Sequence, residues 1–240
     1  MTNSMASSIS WKTAVLGQSE EHLQCLQGHV FVHSDLIEPL EGLCAAAQKA
    51  GFHLSVASGF RSFERQLQIW NDKLGGRRPV VDASGQTVDL SSLKPLEQVE
   101  TLMRWSALPG TSRHHWGTDL DIYDLSAIDE DYQLRLLPEE YAFNGSFGPL
   151  IVWLRSFLEA SDSRFFFPYR EDSGGVMPEP WHISYQPLAH EFSKHWSQQS
   201  WLDTLKRVDI TKKGVILNNA DYLYERFIQP SIIPCDTYTY

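Results

Sequence analysis

The sequence predicts an α+β domain built on one central, mainly antiparallel sheet, with helices packed on it and a short helical C-terminal extension. Three observations predict it. A chain of 240 residues has room for one substantial core. Short alternating runs such as FHLSVASGF, TDLDIYD and WHISY are interleaved with stretches of helical periodicity. No internal repeat or low-complexity linker divides the chain, so residues 1–187 read as one domain and 188–240 as an extension packed on it.

The elements follow in order. Residues 34–50, SDLIEPLEGLCAAAQKA, carry apolar side chains at helical spacing, and Gly51 supplies a stop. FHLSVASGF alternates as a strand running into a turn at Gly59. SFERQLQIWNDKL is a second helix with Ser62 as its N-cap, because a serine hydroxyl can accept from an unpaired first-turn N–H. GGRRPVVDASGQTVD is rich in turn formers and reads as a loop or flap near a site. Beyond the Pro109-Gly110 turn, TDLDIYD is a short strand. PLIVWLRSFLEA is an amphipathic helix with Pro149 in its first turn. RFFFPY and WHISY are strands separated by the loop EDSGGVMPEP, and helical patterns resume around 188–205 and 219–229.

Composition removes several function classes. Hydrophobic residues make up 42% of the chain, with 12 Phe and 8 Trp, which excludes a disordered chain. A formal charge of −10 excludes a basic nucleic-acid footprint, so an anionic substrate must be met by a few placed cations. No segment approaches the ~20 apolar residues of a membrane span. The N-terminus lacks a basic region followed by an apolar run, so no secretory signal is expected. Cys25, Cys44 and Cys235 are odd in number and lack metal-ligand spacing, which suits a reducing compartment. The expectation is a cytoplasmic protein with no membrane or nucleic-acid partner.

The chemistry gathers in two motifs. In SRHHWGTDLD, His114 and Asp121 stand on either side of Gly117, which permits a tight turn into the strand and a common meeting point for imidazole and carboxylate. A catalytic zinc takes three protein ligands and keeps one position open. The third candidate is His182 in PEPWHISY, with Glu179 three residues before it and free to take a proton from an activated water.

SGFRSFERQ, GTSRHHWGTDLD and EPWHISY, in that order over about residues 52–187, resemble the VanY-like D-alanyl-D-alanine carboxypeptidases. These are zinc peptidases of the group that includes lysostaphin-type enzymes and the hedgehog signalling domain. The family pattern Ser-x-His-x-x-Gly-x-Ala-x-Asp is matched by Ser112, His114, Gly117 and Asp121. The resemblance implies one zinc per chain on His114, Asp121 and His182, with Glu179 as catalytic base. It implies that Arg61 holds the substrate or polarises the scissile carbonyl, and that Gln66 and Ser112 contact the peptide.

Two positions depart from the family. Its alanine is Asp119 here, and the arginine of its His-x-Arg-Tyr is Ser184. Both departures are expected to alter the substrate pocket, with Asp119 either supporting the ligands or meeting a substrate amine. His115 is expected to pack or to hydrogen-bond behind the ligands, and Trp116 and Trp181 to wall the pocket or pack. Arg61 has a plain alternative in a salt bridge to Glu64. However, a carboxypeptidase must grip a terminal carboxylate, and guanidinium does so at two points.

The expected activity is zinc-dependent L,D-carboxypeptidase action on peptidoglycan-derived tetrapeptides (muropeptides) in cytoplasmic recycling. A cytoplasmic enzyme trimming D-Ala-D-Ala would damage wall precursors, whereas one acting on returned tetrapeptides would not. The rivals are a D,D-carboxypeptidase or dipeptidase, a cell-wall endopeptidase, and a zinc-bearing binding domain without catalysis.

Overall fold

A computed structural model describes residues 10–82 and 85–232. In chain order its elements are α1 (Trp11–Ala14), β1 (Leu23–Gln27), β2 (Val30–His33), α2 (Ile37–Lys49), β3 (Leu54–Ser58), α3 (Phe63–Leu74) and α4 (Pro95–Met103). They continue as β4 (Asp119–Asp124), α5 (Pro138–Tyr141), α6 (Gly148–Ala160), β5 (Phe165–Phe166), β6 (His182–Tyr185) and α7 (Gln186–His195). The chain closes with α8 (Gln198–Arg207), α9 (Lys213–Asn218), α10 (Ala220–Leu223), a π-helical turn over Tyr224–Ile228 and α11 (Gln229–Ile232).

The predicted fold class holds. The main sheet has strand order β3-β4-β6-β5, and every neighbouring pair is antiparallel. Alternation along β4 and β6 sends Leu120, Ile122 and Ile183 into an apolar cluster with Leu40 and Leu43 of α2 and Leu150 and Leu154 of α6. Burial of each such side chain stabilises the fold by roughly 1.5–3 kcal/mol. Asp119, Asp121, His182 and Ser184 occupy the alternate positions of the same strands, and all are buried. The sheet therefore has one apolar face and one polar face at its centre.

The sequence-derived boundaries hold for the longer elements. Ser62 caps α3 by accepting from Arg65 N at 3.1 Å. The 34–50 helix begins as a 3-10 turn at Ser34–Leu36 before α2. RFFFPY pairs only at Phe165–Phe166, where β5 meets the end of β6. The helical stretch at 188–205 is two helices, broken where Ser197 caps α8 by accepting from Ser200 N. The β1–β2 hairpin and α4 were not read from the sequence. HLQCLQGHVFVH does carry the signal for the hairpin, an alternating pair of runs about a turn at positive-φ Gly28.

The helices after residue 187 each bury one face in the core. Phe192, Trp201, Leu205, Leu223 and Phe227 share a second apolar cluster with Trp70, Leu102 and Trp116. Trp201 Nε1 donates to Pro109 O at 3.0 Å, which ties α8 to the loop before the first histidine motif. Cys25 and Cys44 are free thiols, and Cys235 lies outside the described residues.

Candidate metal centre

His114 sits on a 3-10 turn, Arg113–Trp116, which ends at Gly117 with φ +70°. A side chain at 117 would be strained by that φ, and its Cβ would lie 2.7 Å from Leu23 Cδ2 and 2.9 Å from His33 N. Only glycine allows the hairpin to press against the turn that presents His114. The strand then begins, and Asp121 falls directly opposite His182 across β4 and β6. Residues that lie far apart in sequence are thus brought onto one face by strand register.

The three candidate ligands each offer an atom within 4.8 Å of the others, and all three residues are buried. His114 Nδ1 is bonded to Gly59 O at 2.7 Å, which leaves Nε2 facing Asp121. His182 Nε2 lies 2.9 Å from Asp119 Oδ1, which leaves Nδ1 on the Asp121 side, 3.0 Å from Glu179 Oε2. Asp121 Oδ1 is buried without a hydrogen bond, although His114 Nε2 and His182 Nδ1 approach it at 3.4 and 3.7 Å. A buried carboxylate oxygen without a donor, with two imidazole nitrogens aimed at it, fits a divalent cation and not a closed hydrogen-bond network. Two nitrogens and one oxygen suit zinc in an open, three-ligand site.

The electrostatics follow the geometry. Burial works to lower the His182 pKa, but the Asp119 and Glu179 carboxylates, with Asp121 beyond, outweigh it and raise it to about 9. Burial likewise works to raise Asp121, and the imidazoles of His114 and His182 with Arg61 hold it below the usual carboxylate range. Asp119 is also held low against its burial, chiefly by the Arg113 charge and then by His182.

Asp119 does not meet substrate. Its carboxylate is fully buried and accepts from Arg113 Nε at 2.7 Å, Thr118 Oγ1 at 2.7 Å and Ser184 Oγ at 3.0 Å, besides its bond to His182. The expectation that it faces a substrate amine is corrected, because no lone pair is left for one. Ser184 is equally buried and pairs with Asp119 across the strands. The two departures from the family pattern are therefore one joint arrangement behind His182, completed by Arg113, whose Nη2 donates to Ser184 Oγ at 2.6 Å. Arg113 is the residue that sequence reasoning missed. Its only signal was a basic residue beside the motif histidine, six positions before an unexpected aspartate. Its Nη1 donates to Ser231 O at 2.9 Å, so the chain's last described turn supports the centre.

Arg61 lines the cleft, and its Nη1 donates to Gln66 Oε1 at 3.1 Å. It makes no ion pair with Glu64 among the described residues. Gln66 is fully buried and donates through Nε2 to Ala107 O at 2.6 Å, so it orients Arg61 and does not reach the cleft surface. Gln66 thus sits behind Arg61 and outside the cleft lining, not at the cleft surface where a peptide contact was expected. His115 holds the same residue from behind. Its Nε2 accepts from Gly110 N at 2.9 Å, so Nδ1 carries the proton donated to Arg61 O at 2.6 Å. Burial keeps this ring neutral, with its pKa lowered to about 3.

Glu179, Ser112 and Trp181 line the same cleft of 460 Å³ together with the three ligands. Trp116 does not; its indole is buried in the core and donates to Val15 O at 3.1 Å. Pro79 and Val81 also line the cleft, as do Phe227, Ile228 and Ser231 of the C-terminal turns.

The VanY family model, D-alanyl-D-alanine carboxypeptidase, matches residues 29–188. The chain belongs to the VanY family. An uncharacterized protein of Haemophilus influenzae is 40% identical over 96 residues, covering 38% of this chain and 66% of that protein. A D-alanyl-D-alanine carboxypeptidase of Enterococcus faecalis is 28% identical over 146 residues, covering 61% of this chain and 45% of that enzyme. Among solved structures, VanYB in complex with D-alanine-D-alanine is similar at a TM-score of 0.49 and 23% identity, covering 78% of this chain and 91% of that one. This VanY-family chain thus spans less than two thirds of the length of some curated relatives that it matches.

Proposed function

We propose that this chain is a zinc-dependent carboxypeptidase that releases terminal D-alanine from peptidoglycan-derived tetrapeptides by cutting the L,D-bond after a diamino acid, with cytoplasmic recycling as its setting. The carrying observation is the pairing of the His114–Asp121–His182 set with Glu179 and Arg61 in one cleft. The lining of that cleft supports the L,D choice. It includes Lys73 and Arg78 beside the ligands, which suits a residue with a side-chain carboxylate before the scissile bond better than the methyl group of D-alanine. Free Cys25 and Cys44 suit the reducing setting.

When bound, zinc supplies a Lewis acid that polarises the scissile carbonyl and brings the pKa of water to roughly 7. Glu179 takes a proton from the attacking water and then delivers it to the leaving amine nitrogen as the C–N bond breaks. Arg61 grips the terminal carboxylate at two points, and its backbone is held for that task by His115 and its side chain by Gln66. Asp119 fixes the orientation and tautomer of His182. Water entering the carbonyl carbon and a proton reaching nitrogen balance the hydrolysis without any organic cofactor.

A D,D-carboxypeptidase is the second reading, favoured by the description of the matching family. Zinc-loaded protein incubated with tetrapeptide and pentapeptide muropeptides, with D-alanine loss followed by mass spectrometry, separates the two. Loss from tetrapeptide supports the L,D assignment. Loss from pentapeptide alone establishes the D,D reading, and loss from neither, with zinc bound, removes both.

A further inference from the structure

The α3 helix carries two cleft functions on one face. Gln66, which orients Arg61, and Lys73, which lines the cleft, are seven residues apart and so two turns along the same stripe. That separation is about 10 Å along the axis, or roughly three residues of extended peptide. Lys73 is half-buried, and its Nζ donates to Ser106 Oγ at 2.6 Å. Among the described residues no carboxylate lies within 4.0 Å of it. An ammonium has three protons to donate, and one neutral hydroxyl leaves two without a charged partner.

The surroundings add donors and positive charge. Arg78 lines the same cleft, and its nearest carboxylate, Asp72 at 3.7 Å, is already held by Arg77 at 2.7 Å. Trp105, beside Ser106 in the lining, has a buried indole N–H without a hydrogen-bond partner. Burial, and then the charge of Arg61, push the Lys73 amine down to about 8; Glu179 raises it, and Arg78 adds a smaller lowering effect. In a protein of net charge −10, a lysine with no carboxylate within 4.0 Å among the described residues, beside an arginine in the same cleft lining, is a receptor for an anion.

We propose that Lys73, aided by Arg78, forms a second anion subsite that takes a free carboxylate of the substrate other than its C-terminal one, making the enzyme selective for peptides that carry an additional carboxylate near the scissile bond. The inference rests on the carboxypeptidase reading, in which Arg61 holds the terminal carboxylate. Two groups of a tetrapeptide offer that chemistry: a side-chain carboxylate on a dicarboxylic diamino acid at position three, and the α-carboxylate of a γ-linked glutamyl residue at position two. Lys73 lines the same cleft as Arg61 and the ligands, so either carboxylate is a candidate partner.

The test uses four synthetic tetrapeptides ending in D-alanine: both carboxylates free, each one amidated in turn, and both amidated. kcat/KM is measured for the zinc-loaded wild type, Lys73→Met, Lys73→Arg and Arg78→Gln, with zinc content and Tm recorded for each. A charge-assisted contact predicts that one amide lowers the wild-type value by about 10- to 100-fold, mainly through KM. In Lys73→Met the ratio between free and amidated peptides collapses to about 2-fold or less, Lys73→Arg retains most of it, and Arg78→Gln reduces it. The amide that carries the effect identifies which carboxylate is read. Equal wild-type values for all four peptides overturn the subsite, as does a Lys73→Met loss that is the same for every peptide. Should no peptide release D-alanine, the catalytic reading fails. The subsite is then decided by calorimetric binding of the four peptides to zinc-loaded protein, where discrimination by amide supports it and equal affinities sink it.

Discussion

Asp119 and His182 occupy diagonal positions on adjacent strands, and the 2.9 Å contact between Asp119 Oδ1 and His182 Nε2 fixes which ring nitrogen faces the metal centre. A carboxylate behind a ligating imidazole raises its basicity and locks its orientation. Asp119→Asn is expected to weaken zinc binding by about 10- to 100-fold, measured by competition with a chelating dye. Asp119→Ala should in addition lower stability by about 3–5 kcal/mol in urea unfolding, because the buried Arg113 is left unpaired. Unchanged zinc affinity in both variants would remove the supporting role.

Glu179→Gln keeps the shape of the cleft and removes the base. Turnover of the preferred peptide is expected to fall by about 10²- to 10⁴-fold while bound zinc, measured by atomic emission, stays near one per chain. Substantial activity in this variant would assign the proton transfer elsewhere.

Arg61→Lys retains charge but loses the planar two-point grip and the Gln66 contact. A rise in KM of about 10- to 100-fold, with a smaller change in kcat, is expected for peptides with a free terminal carboxylate. Peptides amidated at that terminus should show little difference between the two proteins; an equal loss on both substrates would argue against a carboxylate clamp.

Gly117→Ala places a Cβ against Leu23 and the His33 backbone at a left-handed φ. Conformation alone is expected to lower stability by about 1–2 kcal/mol, with the clash adding to it. Because this turn presents His114, zinc affinity should fall as well. A Tm within a degree of wild type would show that the hairpin yields freely.

His22 is buried beside His33 and Phe192, and neither of its ring nitrogens has a hydrogen-bond partner. Burial, and then His33, lower its pKa from 6.5 to about 4, against a small raising influence of the Trp116 backbone. The unfolded chain binds this proton near pH 6.5 and the folded chain does not, so stability is full above that pH and declines as pH falls toward about 4. Tm measured between pH 7 and 4.5 should drop less steeply for His22→Gln than for the wild type. Parallel curves would place the acid sensitivity elsewhere.

Local patterns made much of this legible. Alternation marked β3, β4 and β6, the serine before a periodic run marked the cap of α3, and the glycine between His114 and Asp121 marked the turn. The β1–β2 hairpin escaped because its outward residues are mixed in polarity, with Phe31 exposed at 41%. Gln66 was misplaced for a related reason. A glutamine on a helix looks solvent-facing until its two partners, Arg61 and Ala107 O, are known to converge on it.

By itself the sequence named the candidate ligands His114, Asp121 and His182 and the candidate base Glu179, because ordered motifs of residue type and spacing are local properties. Only the tertiary structure decided what Asp119 does. Register across β4 and β6 put it opposite Ser184 and diagonal to His182, and a chain segment more than a hundred residues later closed on Arg113 through Ser231. Burial then converted an apparent substrate contact into a support for a ligand, since a carboxylate sealed from solvent acts on whatever the fold packs against it.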